Sequence, residues 1–431
     1  MSATPEREAV KGARWRRVGR LGAAALLLPA LMVTAVLGLA RPAHAAGPAT
    51  FKWTGAAAMA TTPNANWSDG ANWLGGVAPA APGPVDMVFP PLVCATSVLG
   101  CGESNNDITG LTVAKLTIDS AENVFNQGSY FISGNGVTLD ALTANAPGGG
   151  FLFAELDIPI TLGQAQTWVI DGANIGFFDI TGPFPLTLSL FNQAQPSILG
   201  TVSVTSLTAV GKDANDVGIY AYANGYLDLQ QASSINAPVS VTRAELSGFG
   251  GALASLTTSA AAVSVGGVVG PGNNLPVGGT ATLDKGSIVY FENLAPGKAG
   301  DNYPEMTATG SSGLNGAGLY VSADCGQALG TVYKLVDAAG GLTGNFTQDL
   351  ELGTGPIVNN EIIPAQAAYD GSCTGSNSPP YLQYKYNRTK GIVTVTVVAA
   401  PPGASSSVSA RHDVSHPRVV SRGARAFAYG G

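Results

Sequence analysis

The feature that most restricts this chain is a recurrence. Short runs rich in Val, Ile, Leu and Thr return at intervals of roughly twenty residues, the spacing expected when each repeat is one coil of a solenoid. They include 111–118, 136–139, 158–162, 186–190, 202–207, 226–229 and 281–283, separated by Gly, Asn, Asp and Pro turns. Within many runs an apolar residue alternates with Thr or Ser, the two-residue period of a strand with one wet face. No stretch offers a long amphipathic helix, so strand–helix–strand crossovers are not expected.

Composition agrees for a physical reason. Charged residues are 11% of the chain, against about 25% in an ordinary globular protein, so a helical bundle would lack the Glu, Lys and Arg that dress its outer faces. A stack of coils satisfies its backbone between coils and buries one side of every strand, which makes surface charge optional. The 57 glycines of 431 residues suit corners that need positive φ or a close backbone approach. A pair of β-sandwiches also gives many short strands, but Asn-Gly hairpin signals are scarce, Asn224-Gly225 being the main one. The expected fold is all-β, a parallel β-solenoid.

Residues 1–45 read as an export signal: Lys11, Arg14, Arg16, Arg17 and Arg20, then an apolar run from Leu21 to Ala40, then Ala43-His44-Ala45 as a small-x-small cleavage site. The competing reading is an uncleaved anchor, since about 20 apolar residues span a bilayer; Pro29 and the cleavage triplet favour removal. Arg16-Arg17 hints at twin-arginine export, although Gly19 stands where a bulky apolar residue is expected. No later segment reads as a spanning helix, so the protein is expected outside the cell or on its surface.

Cys94, Cys101, Cys325 and Cys373 all follow the signal, and an oxidising compartment makes disulfides the expectation. Of the three pairings four cysteines allow, proximity favours Cys94 with Cys101, which leaves Cys325 for Cys373. A four-cysteine zinc site would want a C-x-x-C spacing the chain does not contain.

Charge and histidine narrow the chemistry. Residues 46–401 hold 10 basic and 25 acidic residues, a balance that argues against nucleic acid and anionic membranes as partners. His44, His412 and His416 are the only histidines, so 46–401 has none. Ser-His-Asp catalysis and His-ligated metal therefore have no material in the body. Arg243 is the only arginine between 46 and 387, thin support for a lyase acting on polyanions.

At this point the sequence resembles a family. The opening Lys52-Trp53-Thr54-Gly55, then 66–73 (NWSDGANW), 75–79 (GGVAP) and 86–89 (DMVF), is similar to the start of autotransporter passengers with associated β-strand repeats. So are 136–139 (GVTL), 159–162 (PITL) with Gln166-Thr167-Trp168, 269–273 (VGPGN), 330–337 (GTVYKLVD) and 342–346 (LTGNF), in that order over about 50–398. The resemblance implies a single-stranded, right-handed parallel β-helix with adhesive or structural roles. One departure matters: after Ala400 only residues 401–431 remain, so a translocator barrel and self-transport are not expected. The organisation read here is 1–45 signal, 46–110 Trp-rich N-terminal cap region, 111–400 β-helix, and 401–431 a Pro/Ser-rich then basic tail.

Candidate ligand groups are few. Trp53, Trp67 and Trp73 could form a sugar-stacking platform or plug the open end of the stack; the family opening favours the plug. Tyr220, Tyr222 and Tyr226 would share one face if the segment stayed extended, as ligand strip or as core. Glu155 and Asp157 share a strand face, and Asp171 and Asp179 flank a strand and could oppose each other as glycosidase acids. Oxygen ligands for calcium at Asp213-Ala214-Asn215-Asp216 or Asn105-Asn106-Asp107 lack the distal Glu of a calcium loop. The sequence therefore favours a secreted or cell-surface, non-catalytic structural or adhesive module without metal or cofactor, meeting glycans or cell-surface proteins. The alternative is a carbohydrate-active hydrolase or lyase using paired carboxylates on the same scaffold.

Overall fold

The strand Leu111–Asp119 shows the local rule. Leu111, Val113, Leu116 and Ile118 are buried, while Thr112 and Thr117 keep one side in water. Two parallel partners follow along its length: Val137–Leu139 pairs with its first part and Leu142–Asn145 with its second. Between Leu111–Asp119 and these two partners the chain crosses the second sheet at Tyr130–Gly134, and after them it crosses that sheet again at Leu152–Asp157. Repetition of this three-strand circuit gives an all-β molecule of two long, mostly parallel sheets, of twenty-two and twelve strands.

The computed structural model describes residues 47–60, 63–91, 102–119, 130–146, 152–213, 215–248, 250–266, 273–348, 355–367 and 380–402, all within the unit Gly47–Gly431. The expected signal 1–45, the tail beyond 402, and Cys94, Cys101 and Cys373 lie outside the described residues.

Register makes the core continuous. Leu111, Val137, Ile160, Ile180, Val202 and Ile235 stack in one column, and Leu186, Leu207, Val239, Leu256 and Ala281 in another. In the twelve-stranded sheet the column runs Ile132, Leu156, Phe177, Ile198 and Leu229. All of these are buried in one hydrophobic cluster that runs the length of the stack. Facing outward, Thr167, Thr187, Thr208, Ser240, Thr257 and Thr282 form a hydroxyl ladder. The branched Thr side chain fits a pleated, half-buried surface, so one residue type repeats where coils stack.

Two sequence expectations change. The run 202–207 is not one strand: Thr201–Ser203 and Leu207–Gly211 belong to different columns, with a corner between them where Thr205 N–H donates to Phe184 O at 3.1 Å. Nor does the parallel pattern continue to 400. Val332–Ala338 pairs antiparallel with Ile392–Val398, which pairs with Tyr381–Asn387 and that with Ile362–Pro364. A reversed meander ending in a short Pro-containing strand blunts the open edge that a parallel stack would present. Gly391 makes the reversal possible, because a Cβ there would lie 1.6 Å from Ala338 O at a φ of +72°.

At the other end Ala49–Lys52 pairs with Val85–Phe89, which pairs with Leu111–Asp119. Trp53, Trp67 and Trp73 are at most 2% exposed. Trp73 packs edge-on against both other indoles at 5.1 and 6.3 Å, and Phe89 lies against all three. Trp73 Nε1–H donates to Trp67 O at 2.8 Å, and Trp67 Nε1–H to Ser104 Oγ. The indoles present no free face, so the sugar-stacking alternative for them is withdrawn. Among the described residues no helix is long and apolar enough to cross a membrane.

Candidate functional site

Outward positions of the twelve-stranded sheet carry a row of carboxylates that includes Glu103, Glu155, Asp157, Asp228 and Glu245. Two regions of this face differ in what covers them.

The middle region lies beneath a segment inserted between Leu207–Gly211 and Tyr226–Leu229. It is why the coil from Thr201 to Ser234 spans 33 residues. The insertion ends in a 3-10 turn, Gly218–Ala223, whose Ala221 packs on Ala262, Ile288, Tyr290 and Tyr320 in a small second core outside the main one. Asn224 ties it down: its Nδ2 donates to Arg243 O at 2.7 Å and Asp216 O at 3.0 Å, and its Oδ1 accepts from Asp213 N at 2.7 Å. Gly218 N donates to Ala260 O at 3.0 Å. Gly211 admits this root, since a Cβ there would fall 1.7 Å from Arg243 O. The extended Tyr row expected at 220–226 is therefore corrected: Tyr220 and Tyr222 fall on a 3-10 turn and Tyr226 begins a strand. The side chains of Tyr220 and Tyr222 lie outside the described residues.

Two outward carboxylates sit on neighbouring strands here. Asp228 pairs in register with Ser247, and Glu245 with Tyr226, so the acids are diagonal neighbours. Asp228 is 3% exposed. Its Oδ2 accepts from Ser197 Oγ at 3.2 Å and from Gln230 Nε2, while Oδ1 is buried without a partner. Burial pushes the Asp228 carboxyl up to about 6 against the pull of hydrogen bonds from Gln230, Ser197 and Gln195. Burial, then the charges of Glu292 and Asp228, push Glu245 up to about 8, while Ser247 and Ser264 partly offset them. Ser247 Oγ stands 3.3 Å from Glu245 Oε1. Burial and the neighbouring carboxylates thus favour the protonated, hydrogen-bonding form of Glu245. Sequence reasoning missed this pair; the one available signal was Asp and Glu at outward positions of successive runs.

The N-terminal region of the same face is open. Phe131 and Phe153 are exposed on it, with ring centroids 5.9 Å apart, and Glu155 pairs in register with Phe131. Glu155 is raised by burial and then by Asp157; Asp157 is raised by burial and then by Asp179. The expected Glu155–Asp157 proximity is present and extends to Asp179. Of the two acids expected to oppose each other, Asp171 accepts from Asn192 Nδ2 at 2.6 Å and Asp179 accepts from Thr201 N at 3.0 Å.

The remaining candidates are structural. Asp107 takes the Ser68 N–H at 2.9 Å and the Ser68 hydroxyl; burial opposes its ionisation, but these hydrogen bonds hold its carboxyl below the usual value. Asp213 Oδ1 accepts from Asn215 N at 2.9 Å, a turn contact. Among the described residues no group of three His, Cys, Asp or Glu could hold a metal ion. Cys325 lies in the turn after Gly318–Ala323. A groove of about 560 Å³ on the larger sheet is lined by Ile235, Leu253, Pro276, Val277 and Thr307 among others. Its one carboxylate, Asp337, is held by Lys334 Nζ at 2.5 Å.

No family model matches the chain, and neither a curated protein nor a solved structure matches it.

Proposed function

We propose that this chain is an exported, right-handed parallel β-helix, plugged at its N-terminal end by Trp53, Trp67 and Trp73, that serves as a non-catalytic structural or adhesive module outside the cell or on its surface. The resemblance of 52–89 and 330–346 to autotransporter passengers with associated β-strand repeats supports this, as does the export-type segment 1–45. The observation that carries it is the unbroken outward ladder Thr167, Thr187, Thr208, Ser240, Thr257 and Thr282. Repeated neutral hydroxyls offer many weak, equivalent contacts, which suits a neutral glycan or protein surface better than a single turnover site. Pairing of Cys325 with Cys373, and of Cys94 with Cys101, belongs to the same proposal.

A screen of the whole chain against neutral glycans, surface polymers and intact cells tests the reading. Retention by a surface or glycan, with no release of reducing ends from any polysaccharide, is the expected result. Turnover of a polysaccharide would overturn it.

One observation favours a second reading. Asp228 and Glu245 are adjacent carboxyls held at different acidities, the pattern of an acid and its partner in glycoside hydrolysis. Hydrolysis that disappears in Glu245→Gln while the fold persists would establish that enzyme.

A further inference from the structure

Phe131 and Phe153 are 46% and 39% exposed on the N-terminal part of the smaller sheet's outer face, with ring centroids 5.9 Å apart. Register sets Glu103 on one side of Phe131 and Glu155 on the other. The exposed ring thus stands between two carboxylate-bearing rungs at the strand spacing of about 4.8 Å. Asp157 lies two residues beyond Glu155 on the same strand and feels the charge of Asp179. None of the ion pairs among the described residues draws on these four acids. An open aromatic face flanked by uncompensated carboxylates is suited to a guanidinium, which stacks on the ring while its N–H groups meet the oxygens.

The chain itself carries such a group. Residues 403–431 hold Arg411, Arg418, Arg422 and Arg425 against a single acid, Asp413, whereas 46–401 contain only Arg243 and Arg388. This segment follows Ile392–Val398, which pairs with the last long parallel strand, Val332–Ala338. From that end to the Phe131 rung is about 40 Å at the strand spacing. A chain of this length covers up to about 100 Å when extended, so it is long enough to reach the face of its own molecule or of a neighbour.

We propose that the basic segment 403–431 docks on the Phe131–Phe153 face, with a guanidinium over Phe131 between Glu103 and Glu155. Bound in cis it masks the acidic aromatic face; bound in trans it joins copies end to end. Neither outcome depends on whether the chain binds a glycan.

The test uses the whole chain with Phe427→p-benzoylphenylalanine, irradiated at low salt and mapped by peptide mass spectrometry. Crosslinks are expected on peptides holding Tyr130–Gly134 and Leu152–Asp157, in monomers for cis docking or in dimers for trans docking. Their yield should fall about fivefold or more near 0.5 M salt, where the Debye length is only a few ångströms. The same fall is expected in Glu155→Gln and in the combined R411S/R418S/R422S/R425S chain, whose changes leave the sheets untouched. Crosslinks scattered over the surface, or yields indifferent to both variants, would overturn the proposal.

Discussion

The middle and the N-terminal part of the smaller sheet use the same outward positions for the same residue type, and end with carboxyls of different character. In the middle, Ala221 and its neighbours lie across the sheet, and Asp228 and Glu245 are driven toward the protonated form. Toward the N-terminus, Asp157 and Asp179 are exposed, and Glu155 lies beside open Phe131. Burial raises the carboxyls of both regions, and it does so most strongly at Asp228 and Glu245.

The comparison can be broken most forcibly at the root of the cover. Gly211→Val puts a branched side chain where even a Cβ would meet Arg243 O at 1.7 Å. A loss of about 3 kcal/mol or more is expected in urea unfolding, at or beyond the upper end for overpacked sites, because the clash is with backbone. The second effect is a pH dependence. An unfolded Glu loses its proton near 4.5, while folded Glu245 retains it until about 8, so the folded state binds the extra proton in between. Its contribution to stability is complete below about pH 4.5 and lost as pH rises through about 8, by a few kcal/mol. Glu245→Gln should flatten that decline, leaving the smaller loss that Asp228 produces as pH rises to about 6. A decline of unchanged size in the variant would show that the cover does not hold the proton.

Much of the stack was legible because its cause is local. Alternation in Leu111–Asp119 or Leu186–Phe191 states which side chains face in, and the interval between runs states that coils stack. What was illegible depends on partners far away in sequence. Ala173–Phe177 alternates poorly, since Gly176 sits outward with Leu199 packed over it. Gln195–Ile198 contains Pro196, which reads as a turn. The antiparallel ending has the same apolar alternation as a parallel coil, and Gly391 is the only local hint of reversal. At the site, Glu155 and Asp157 were found by spacing along one strand. Asp228 and Glu245 were not, because they meet across strands beneath a segment whose Tyr-rich sequence reads as extended.

A milder change sharpens the comparison from beneath the cover. Ser247→Ala removes the hydroxyl 3.3 Å from Glu245 Oε1, and a loss of about 1 kcal/mol is expected, the usual worth of one buried hydrogen bond. Because the Ser247 contact lowers the Glu245 carboxyl, the pH-dependent decline should also move to higher pH. A shift to lower pH would mean that the hydroxyl stabilises the protonated form.

The smallest effect on stability belongs to the open region. Glu155→Gln removes one of three acids that repel one another at Glu155, Asp157 and Asp179. No ion pair among the described residues is lost with it. The change in unfolding free energy should stay within about 0.5 kcal/mol, as for surface sites without a buried partner. Its sign carries the information. A slight gain at neutral pH is expected in a chain ending at Pro402, where only repulsion is relieved. In the whole chain, the same substitution should give no gain or a slight loss, because it also removes a carboxylate that meets the arginines of 403–431. Equal gains in both chains would leave Glu155 as a solvated surface acid and remove the functional half of the contrast with Glu245.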